Sequence, residues 1–485
     1  ESLCNCMAVP EFPFADGARG YQIDALNTWK EHGCQGFFAM ATGTGKTVTA
    51  LNCLLDSYME KGRYRCLILV PTISLVDQWQ KECRRFNFNN IVRISSKERH
   101  WKDDITRITA SALFDQSSSY VIIVTYASLV KKEVVAWIDE LPNDTLVIAD
   151  EAHNIGTENL INSINSLSFK KRIGLSATPH RQFDRKGNEA IKRYFNIKDG
   201  YTYEYSMGEA IQNGVLCHYE YFPHVVHLNE EEMVEYYALS KKIAKFYDPY
   251  TDTFKDSPAL TALLIKRKRI IHKAYGKINE FTRIVNDMFE EKGSLKYTMV
   301  YSPEGVCPDE VLYTTELEDR DTLDDEELPM IDIYTKIVSE VEPHVTVEQF
   351  TSKEGNRGEI LENFTNGSTH VLVAMKCLDE GVDVPRAENA IFCASTGNPR
   401  QFIQRRGRIL RMHPEKRRAY IHDLVVAPYV DTEFETYRME RSLIKNELRR
   451  VRDFALLADN PEYAENTLQE ILEYYDLNFK DDEQD

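Results

Sequence analysis

The sequence lacks any apolar run as long as a membrane span, and it does not open with a signal peptide. We therefore expect no membrane partner and a cytoplasmic location. It also lacks a recurring C-x-x-C motif, since among ten cysteines only Cys4 and Cys6 lie close together. This spacing favours free thiols in a reducing compartment over a zinc site.

Positive charge is scarce, because 59 Lys and Arg face 77 Asp and Glu and leave a net charge of −18. This argues only weakly against a nucleic-acid partner, since affinity depends on a local groove and not on the sum of charges. Much of the excess lies in residues 309–328 and in the tail Asp481–Asp485. We interpret both as solvated loops. The alternative for residues 309–328 is a segment that mimics or repels DNA, or that docks a partner protein.

One loop has the composition of a phosphate cradle. Residues 41–47 read Ala-Thr-Gly-Thr-Gly-Lys-Thr, between an apolar run at 36–40 and a helical stretch at 48–59. The two glycines let backbone N–H groups approach an anion closely. We predict that Lys46 reaches the β- and γ-phosphates of ATP and that the Thr47 hydroxyl binds Mg²⁺. The candidate nucleotide-binding residues of this loop are Thr42, Gly43, Thr44, Gly45, Lys46 and Thr47.

A short acidic segment follows another apolar run. Residues 145–149 predict a central parallel strand, and Asp150 and Glu151 stand at its carboxyl end. We predict that Asp150 holds the Mg²⁺ shell and that Glu151 orients or deprotonates the attacking water. Phosphoryl transfer requires mainly positioning and charge neutralisation, and these groups supply both. A solvated acidic turn is the alternative for this segment considered alone.

A third segment, Gln404 to Arg411, reads Gln-Arg-Arg-Gly-Arg-Ile-Leu-Arg. With phosphate loop, acidic box and arginine box in this order, the chain resembles the superfamily 2 helicases and translocases of the DEAH type. The resemblance implies that Arg408 and Arg411 are arginine fingers that stabilise charge on the transferring phosphoryl group, with Gln404 in the same catalytic segment.

The same resemblance assigns roles to residues outside these three segments. Gln22 is expected to read the adenine edge, and Asp383 to contact the nucleotide from the fifth motif. Contacts with nucleic-acid phosphates are expected from Thr72, Thr125 and Thr351. Coupling of hydrolysis to domain movement is expected from Ser176, Thr178 and His153.

Several stretches without catalytic residues resemble one branch of this superfamily, which holds type III restriction translocases and phage and repair DNA helicases. They are the segment from Tyr203 to Leu216 and the basic segment from Lys266 to Lys277. The ending Gly407 to Arg411 differs from the Gly-Arg-Ala-Gly-Arg of the DEAH RNA helicases. This difference favours DNA over RNA as the partner.

The chain is too long for one ordinary domain. Apolar strands alternate with helical stretches, which predicts α/β lobes with doubly wound parallel sheets. The resemblance implies two tandem RecA-like lobes. We predict a first lobe over residues 1–220, a helical connector over 221–295, a second lobe over 296–425 and a helical C-terminal extension over 426–485.

The function predicted from these residues is an ATP-dependent DNA helicase or translocase with ATP and Mg²⁺ as cofactors, in DNA repair or in defence against foreign DNA. One alternative is an RNA helicase or RNA-sensing ATPase. Another is a subunit that uses ATP as a switch within a larger assembly of proteins. No nuclease motif is recognisable in the sequence.

Overall fold

The computed structural model of the protein describes residues 8–98, 100–115, 117–181, 184–248, 253–254, 257–303, 330–351, 356–375, 384–394, 399–427 and 437–479. Its contacts divide the chain into two compact units, Glu1–Leu216 and Cys217–Asp485, so the division falls just before the predicted boundary at residue 220. Asp383 and the acidic segment 309–328 lie outside the described residues, so their predicted roles stay predictions.

The first unit is built on a seven-stranded, fully parallel sheet with the order β3-β4-β2-β5-β6-β1-β7. Its strands are β1 Gln35–Met40, β2 Arg65–Val70, β3 Ile91–Ile94, β4 Tyr120–Thr125, β5 Leu146–Asp150, β6 Lys171–Ser176 and β7 Tyr203–Tyr205. The runs β2, β4 and β5 are buried along their whole length, which explains why their sequences are continuously apolar.

Helices follow most strands, as a doubly wound fold requires. They are α1 Gly20–Glu31, α2 Lys46–Lys61, α3 Ile73–Arg85, α4 Trp101–Phe114, α5 Tyr126–Leu129, α6 Lys132–Asp139, α7 Glu158–Asn165, α8 Arg185–Tyr194 and α9 Met207–Gln212, with a 3₁₀ helix at Ala152–Gly156. The phosphate loop and the acidic box thus both lie at carboxyl ends of strands, the edge at which such sheets bind ligands.

The second unit has a six-stranded parallel sheet with the order β12-β13-β11-β14-β15-β8. Its strands are β8 Tyr219–His227, β11 Thr298–Tyr301, β12 Val347–Phe350, β13 Val371–Ala374, β14 Asn389–Phe392 and β15 Ala419–Ala427. A separate antiparallel pair joins β9 Tyr247–Asp248 to β10 Thr253–Phe254. The two parallel sheets confirm the predicted fold class.

Strand β8 spans residues 219–227 and so enters the segment 221–295 that we predict to be a helical connector or insert. It pairs with β15 over its full length, at the edge of the second sheet. The strand contains Pro223 and alternates buried with half-buried residues. Proline is tolerated on an edge strand because its missing N–H faces away from the ladder, so the sequence signal for this strand was weak.

The helices of the second unit are α10 Glu230–Ala244, α11 Pro258–Lys273, α12 Gly276–Lys292, α13 Met330–Val341, α14 Arg357–Asn366, α15 Pro399–Ile409, α16 Tyr437–Ala455 and α17 Pro461–Tyr474. Helices α11 and α12 are separated before Gly276, where a side chain would come within 2.9 Å of the His227 carbonyl. None of the helices in the described part of the chain is long and apolar enough to cross a membrane.

The helical connector and the C-terminal extension share one hydrophobic cluster with the edge of the second sheet. Tyr236 and Leu239 of α10 and Ile270 of α11 pack together with Val426 of β15 and Leu443 of α16. Because these helices bury their apolar faces against one another and against β15, they are parts of the second unit.

Candidate nucleotide site and nucleic-acid contacts

The phosphate loop joins β1 to α2 and has the backbone that an anion cradle requires. Gly43 and Gly45 adopt φ values of +88° and +80°, in the left-handed region that glycine enters without strain. The Thr44 hydroxyl donates to the Ala41 carbonyl at 2.7 Å and closes the turn from within. Helix α2 begins immediately afterwards at Lys46, so its first N–H groups lie beside the loop.

The side chains of this loop fit a bound Mg·ATP. The Lys46 ammonium donates to the Met40 carbonyl at 3.4 Å, within the loop that it would share with phosphates. The buried Thr42 hydroxyl has no hydrogen-bond partner in the described part of the chain, as expected of a group that a ligand satisfies. Lys46 would hold the β- and γ-phosphates and Thr47 would hold the metal, which supplies charge neutralisation during phosphoryl transfer.

The predicted adenine segment lies against the phosphate loop. Buried Gln22 accepts a hydrogen bond from the Arg19 backbone at 3.0 Å, and its amide nitrogen would be 3.3 Å from a side chain at Gly45. The neighbouring Tyr21 donates its hydroxyl proton to the Thr44 carbonyl at 2.6 Å. Its ring stacks on Tyr205, with centroids 4.3 Å apart. The Tyr21 contacts were not predicted.

Asp150 is buried at the end of β5 and both of its oxygens are occupied. The Trp79 indole N–H donates to Oδ2 at 2.8 Å, and the Glu151 backbone N–H donates to Oδ1 at 3.0 Å. Burial raises the pKa of Asp150, while the Trp79 hydrogen bond and the charge of Lys46 oppose that rise. Burial disfavours the negative charge of the Asp150 carboxylate. A divalent metal bound there would supply a compensating positive charge.

Glu151 lies next to the residues predicted to couple hydrolysis to movement. Its φ of +46° is in the left-handed region, which turns the chain sharply after β5. Its Oε2 lies 3.5 Å from the Ser176 hydroxyl and 3.4 Å from His153 Nδ1. The same hydroxyl lies 3.1 Å from His153 Nδ1 and accepts from the Thr178 backbone N–H at 3.1 Å. The structure therefore brings together the acidic box and Ser176, and the predicted coupling role of Ser176 stays a prediction.

Three positioning residues around this box were missed by the sequence reasoning. Trp79 occurs in the apolar pattern of α3 and has the signature of an ordinary core residue. Tyr126 donates its hydroxyl proton to the Asp150 carbonyl at 2.7 Å. Arg181 donates to the His153 carbonyl at 2.8 Å. None of them carries a motif signal, because each acts on the backbone or on a side chain that only the fold brings near.

The predicted nucleic-acid threonines differ in their surroundings. Thr72 precedes α3, and its hydroxyl pairs with Ser74 at 3.0 Å on the surface. Thr125 precedes α5 and is buried, with its hydroxyl donating to Ser128 at 3.0 Å. Thr351 follows β12, and its carbonyl accepts from the Arg357 guanidinium at 2.8 Å. Thr72 is therefore more accessible than Thr125, the other candidate in the first unit.

The arginine box forms α15 and the turn after it, and its arginines have different environments. Arg405 stacks over the Tyr301 ring at 5.0 Å, and Arg406 stacks over the Phe454 ring at 4.9 Å. These two side chains therefore pack within the second unit. Arg408 is buried and Gln404 is half-buried, both on α15. Arg411 is half-buried in the turn, and its carbonyl accepts from Lys416 at 3.1 Å.

Two family models match separate parts of the chain. The model of the type III restriction enzyme, res subunit, matches residues 17–181, which include the phosphate loop and the acidic box. The model of the helicase conserved C-terminal domain matches residues 322–413, which include the arginine box. These matches make the chain similar to the superfamily 2 helicases of the restriction-translocase branch. Members of this superfamily are nucleic-acid-dependent ATPases, and so is this chain.

Individual relatives are similar over most of the chain. The DNA 3'-5' translocase XPB2 of Sulfurisphaera tokodaii is 27% identical over 397 residues, which are 81% of this chain and 78% of the relative. The Hef helicase domain of Pyrococcus furiosus shares the fold with a TM-score of 0.51 and 17% identity, over 87% of this chain and 97% of that one. The type ISP restriction-modification enzyme LlaBIII bound to DNA has a TM-score of 0.56 and 18% identity, over 95% of this chain but 32% of that one.

Proposed function

We propose that this superfamily 2 helicase is a DNA helicase or translocase that couples ATP hydrolysis to movement on DNA or to its remodelling. One observation carries the proposal. Strands β5, β6 and β1 are adjacent in the first sheet, and their carboxyl ends present the acidic box, Ser176 and the phosphate loop. The groups that we predict to bind phosphate, to bind metal and to orient water therefore share one edge of a single sheet, which supports the proposal.

The choice of DNA over RNA rests on the relatives. One relative described above is named as a DNA 3'-5' translocase, and a structural neighbour is described as bound to DNA. The absence of the Gly-Arg-Ala-Gly-Arg ending from the arginine box supports the same choice.

The finer parts of the proposal concern setting and cofactors. We propose Mg²⁺ as the metal, held by Thr47 and Asp150, because both present oxygen ligands beside the phosphate loop. We propose a cytoplasmic role in DNA repair or in defence against foreign DNA, with protein partners in a larger complex. Similarity to the restriction enzyme model supports the defence role, and similarity to a translocase supports the repair role.

Steady-state ATP hydrolysis tests the proposal. The rate is measured without nucleic acid and then with single-stranded DNA, duplex DNA, forked DNA and single-stranded RNA, each with and without Mg²⁺. Lys46→Ala is the control, because it removes the charge that holds the phosphates. We expect stimulation by DNA that exceeds stimulation by RNA, and no activity without Mg²⁺ or in the control.

The outcomes separate the alternatives. Equal or stronger stimulation by RNA would replace the proposal with an RNA-dependent ATPase. Hydrolysis that no nucleic acid stimulates would replace it with an ATP switch that acts within an assembly of proteins. Among the DNA substrates, the one that stimulates most would identify the structure on which the protein works.

A further inference from the structure

Asp150 is held by two aromatic side chains that come from different elements. The Trp79 indole N–H reaches its Oδ2 at 2.8 Å, and the Tyr126 hydroxyl reaches its backbone carbonyl at 2.7 Å. Both aromatic side chains are buried, as is Asp150 itself. Because both donors belong to buried side chains, neither contact can be exchanged for a water molecule without rearrangement. We call these two contacts the Asp150 clasp.

Each arm of the clasp begins at a threonine that is a predicted nucleic-acid contact. Helix α3 starts directly after Thr72, and Trp79 lies two turns further along the same helix. Helix α5 starts directly after Thr125, and Tyr126 is its first residue. A shift at the start of either helix is therefore transmitted to Asp150 through one rigid element and one buried hydrogen bond.

We propose that Trp79 and Tyr126 are positioning residues that make the placement of Asp150 depend on nucleic acid bound at the start of α3, where Thr72 lies at the surface, and at the start of α5, which follows the buried Thr125. The inference rests on the proposed function and assigns the regulation of the same nucleotide site. Each donor sets the place of the carboxylate that would hold the Mg²⁺ shell, so nucleic acid adjusts the metal site without touching it.

A purely structural role is the competing explanation, since any buried hydrogen bond stabilises the fold. The two explanations differ in what they predict for coupling. A structural role changes the ATPase rate by the same factor with and without DNA. The clasp changes the ratio of the two rates. Because it links the nucleotide site to the nucleic-acid contacts, it also changes how strongly a bound nucleotide alters DNA affinity.

The chain offers matched controls for both arms. Trp79→Phe removes one buried indole donor, and Trp29→Phe removes another in the same unit, where Trp29 donates to the Arg172 carbonyl at 3.0 Å. Tyr126→Phe removes one buried hydroxyl, and Tyr120→Phe removes another on the preceding strand, where Tyr120 pairs with Thr145 at 2.7 Å. Both control residues are buried, and within the described part of the chain neither forms a hydrogen bond with Asp150.

The first readout is binding, measured on the full chain without turnover. The dissociation constant of a fluorescein-labelled oligothymidylate is determined by anisotropy, with and without Mg²⁺ and the non-hydrolysable analogue AMP-PNP. The coupling factor is the ratio of the dissociation constants measured with and without the analogue. We expect a factor of roughly 5 to 150 for the wild-type protein and both controls. For Trp79→Phe and Tyr126→Phe we expect a factor within about twofold of one. Thermal unfolding of every variant checks that it is folded.

The second readout is the ratio of kcat with and without oligothymidylate. We expect the ratio to fall in both clasp variants and to persist in both controls. If folded Trp79→Phe and Tyr126→Phe keep the coupling factor or the rate ratio of the wild-type protein, the clasp is overturned. It is also overturned if the wild-type protein shows no coupling between nucleotide and DNA binding. If DNA does not stimulate hydrolysis by the wild-type protein, the proposed function itself fails. If the wild-type protein is stimulated and the clasp variants are stimulated equally, only the clasp fails.

Discussion

At the scale of single residues, Glu151 is the side chain whose substitution separates binding from chemistry. We expect Glu151→Gln to retain ATP affinity and to lower kcat by about 100- to 10,000-fold, because the water loses its base while the phosphate loop is unchanged. Fluorescence of a labelled ATP analogue measures binding, and phosphate release measures turnover. Glu158→Gln is the control, since Glu158 is exposed at the start of α7. Near-normal turnover in Glu151→Gln would refute its role as the base.

Arg411 carries a second prediction at this scale. We expect Arg411→Ala to lower kcat by about 1,000-fold or more, because a fixed guanidinium stabilises negative charge on the transferring phosphoryl group. DNA affinity should change little, since the residue is predicted to serve the nucleotide. The exposed Arg417 provides the control Arg417→Ala. Loss of DNA binding with normal hydrolysis in Arg411→Ala would place the residue in the nucleic-acid groove instead.

The residues that could be predicted from the sequence are those whose chemistry is local. Gly43, Gly45 and Lys46 stand within one loop, so their spacing already defines an anion cradle. Trp79 and Tyr126 could not be predicted, because their hydrogen bonds to Asp150 join segments that only the sheet brings together. An indole within an apolar helical pattern looks like any other core residue until the position of its N–H is known.

At the scale of elements, the contact between β1 and β6 depends on a glycine. A side chain at Gly174 would lie 2.6 Å from the Phe37 ring and 3.0 Å from the Phe195 ring. We expect Gly174→Ala to destabilise the first unit by about 1–3 kcal/mol, because a packed core cannot absorb the added methyl group. Urea unfolding followed by fluorescence measures the change. Gly20→Ala is the control, because nothing lies within 4 Å of that position, and equal stability of the two variants would contradict the prediction.

Helix α16 of the C-terminal extension is bonded to the second sheet through a buried ionic network. Arg450 donates to Asp423 Oδ2 at 3.0 Å and to Glu447 Oε2 at 2.9 Å, and Tyr221 donates to the same Asp423 oxygen at 2.8 Å. Burial alone would lower the pKa of Arg450. The charges of Asp423 and Glu447 outweigh that effect, so the pKa is raised above its usual value. The network joins β8, β15 and α16 within one unit.

Removing the cation of this network tests whether the extension is part of the second unit. We expect Arg450→Met to destabilise the protein by about 3–5 kcal/mol, because Asp423 and Glu447 would remain buried without their partner. Thermal unfolding followed by circular dichroism measures the loss. Arg449 is exposed on the same helix, so Arg449→Met controls for the change of side chain. Equal unfolding temperatures of the two variants would show that α16 contributes little to the unit.

Elements were predictable where their pattern is long and were missed where it is short. The fully buried strands β2, β4 and β5 have continuous apolar sequences. Strand β7 has only three residues, Tyr203–Tyr205, with a glutamate between two tyrosines. Its place beside β1 is decided by tertiary pairing and not by local preference, which is why such edge strands escape a reading of the sequence.

At the scale of the whole molecule, the negative charge is unevenly divided. The first unit contains as many acidic as basic side chains, so the entire net charge of −18 belongs to the second unit. Residues 309–328 contribute ten carboxylates against one arginine. A protein that binds a polyanion while carrying this charge must do so through local basic groups, and its DNA affinity should fall as salt increases.

The acidic segment 309–328 is either a solvated loop or a mimic of DNA, and the two interpretations predict different effects of removing its charge. If it is a solvated loop, replacing its ten carboxylates by Asn and Gln should tighten DNA binding by less than about tenfold at low salt. The difference should vanish near physiological salt, where the screening length is about 8 Å. Anisotropy titrations over a salt series measure this, and neutralising the tail Asp481–Asp485 is the control. If the segment mimics DNA in the binding groove, the gain would persist at high salt, and a peptide of residues 309–328 would compete with DNA.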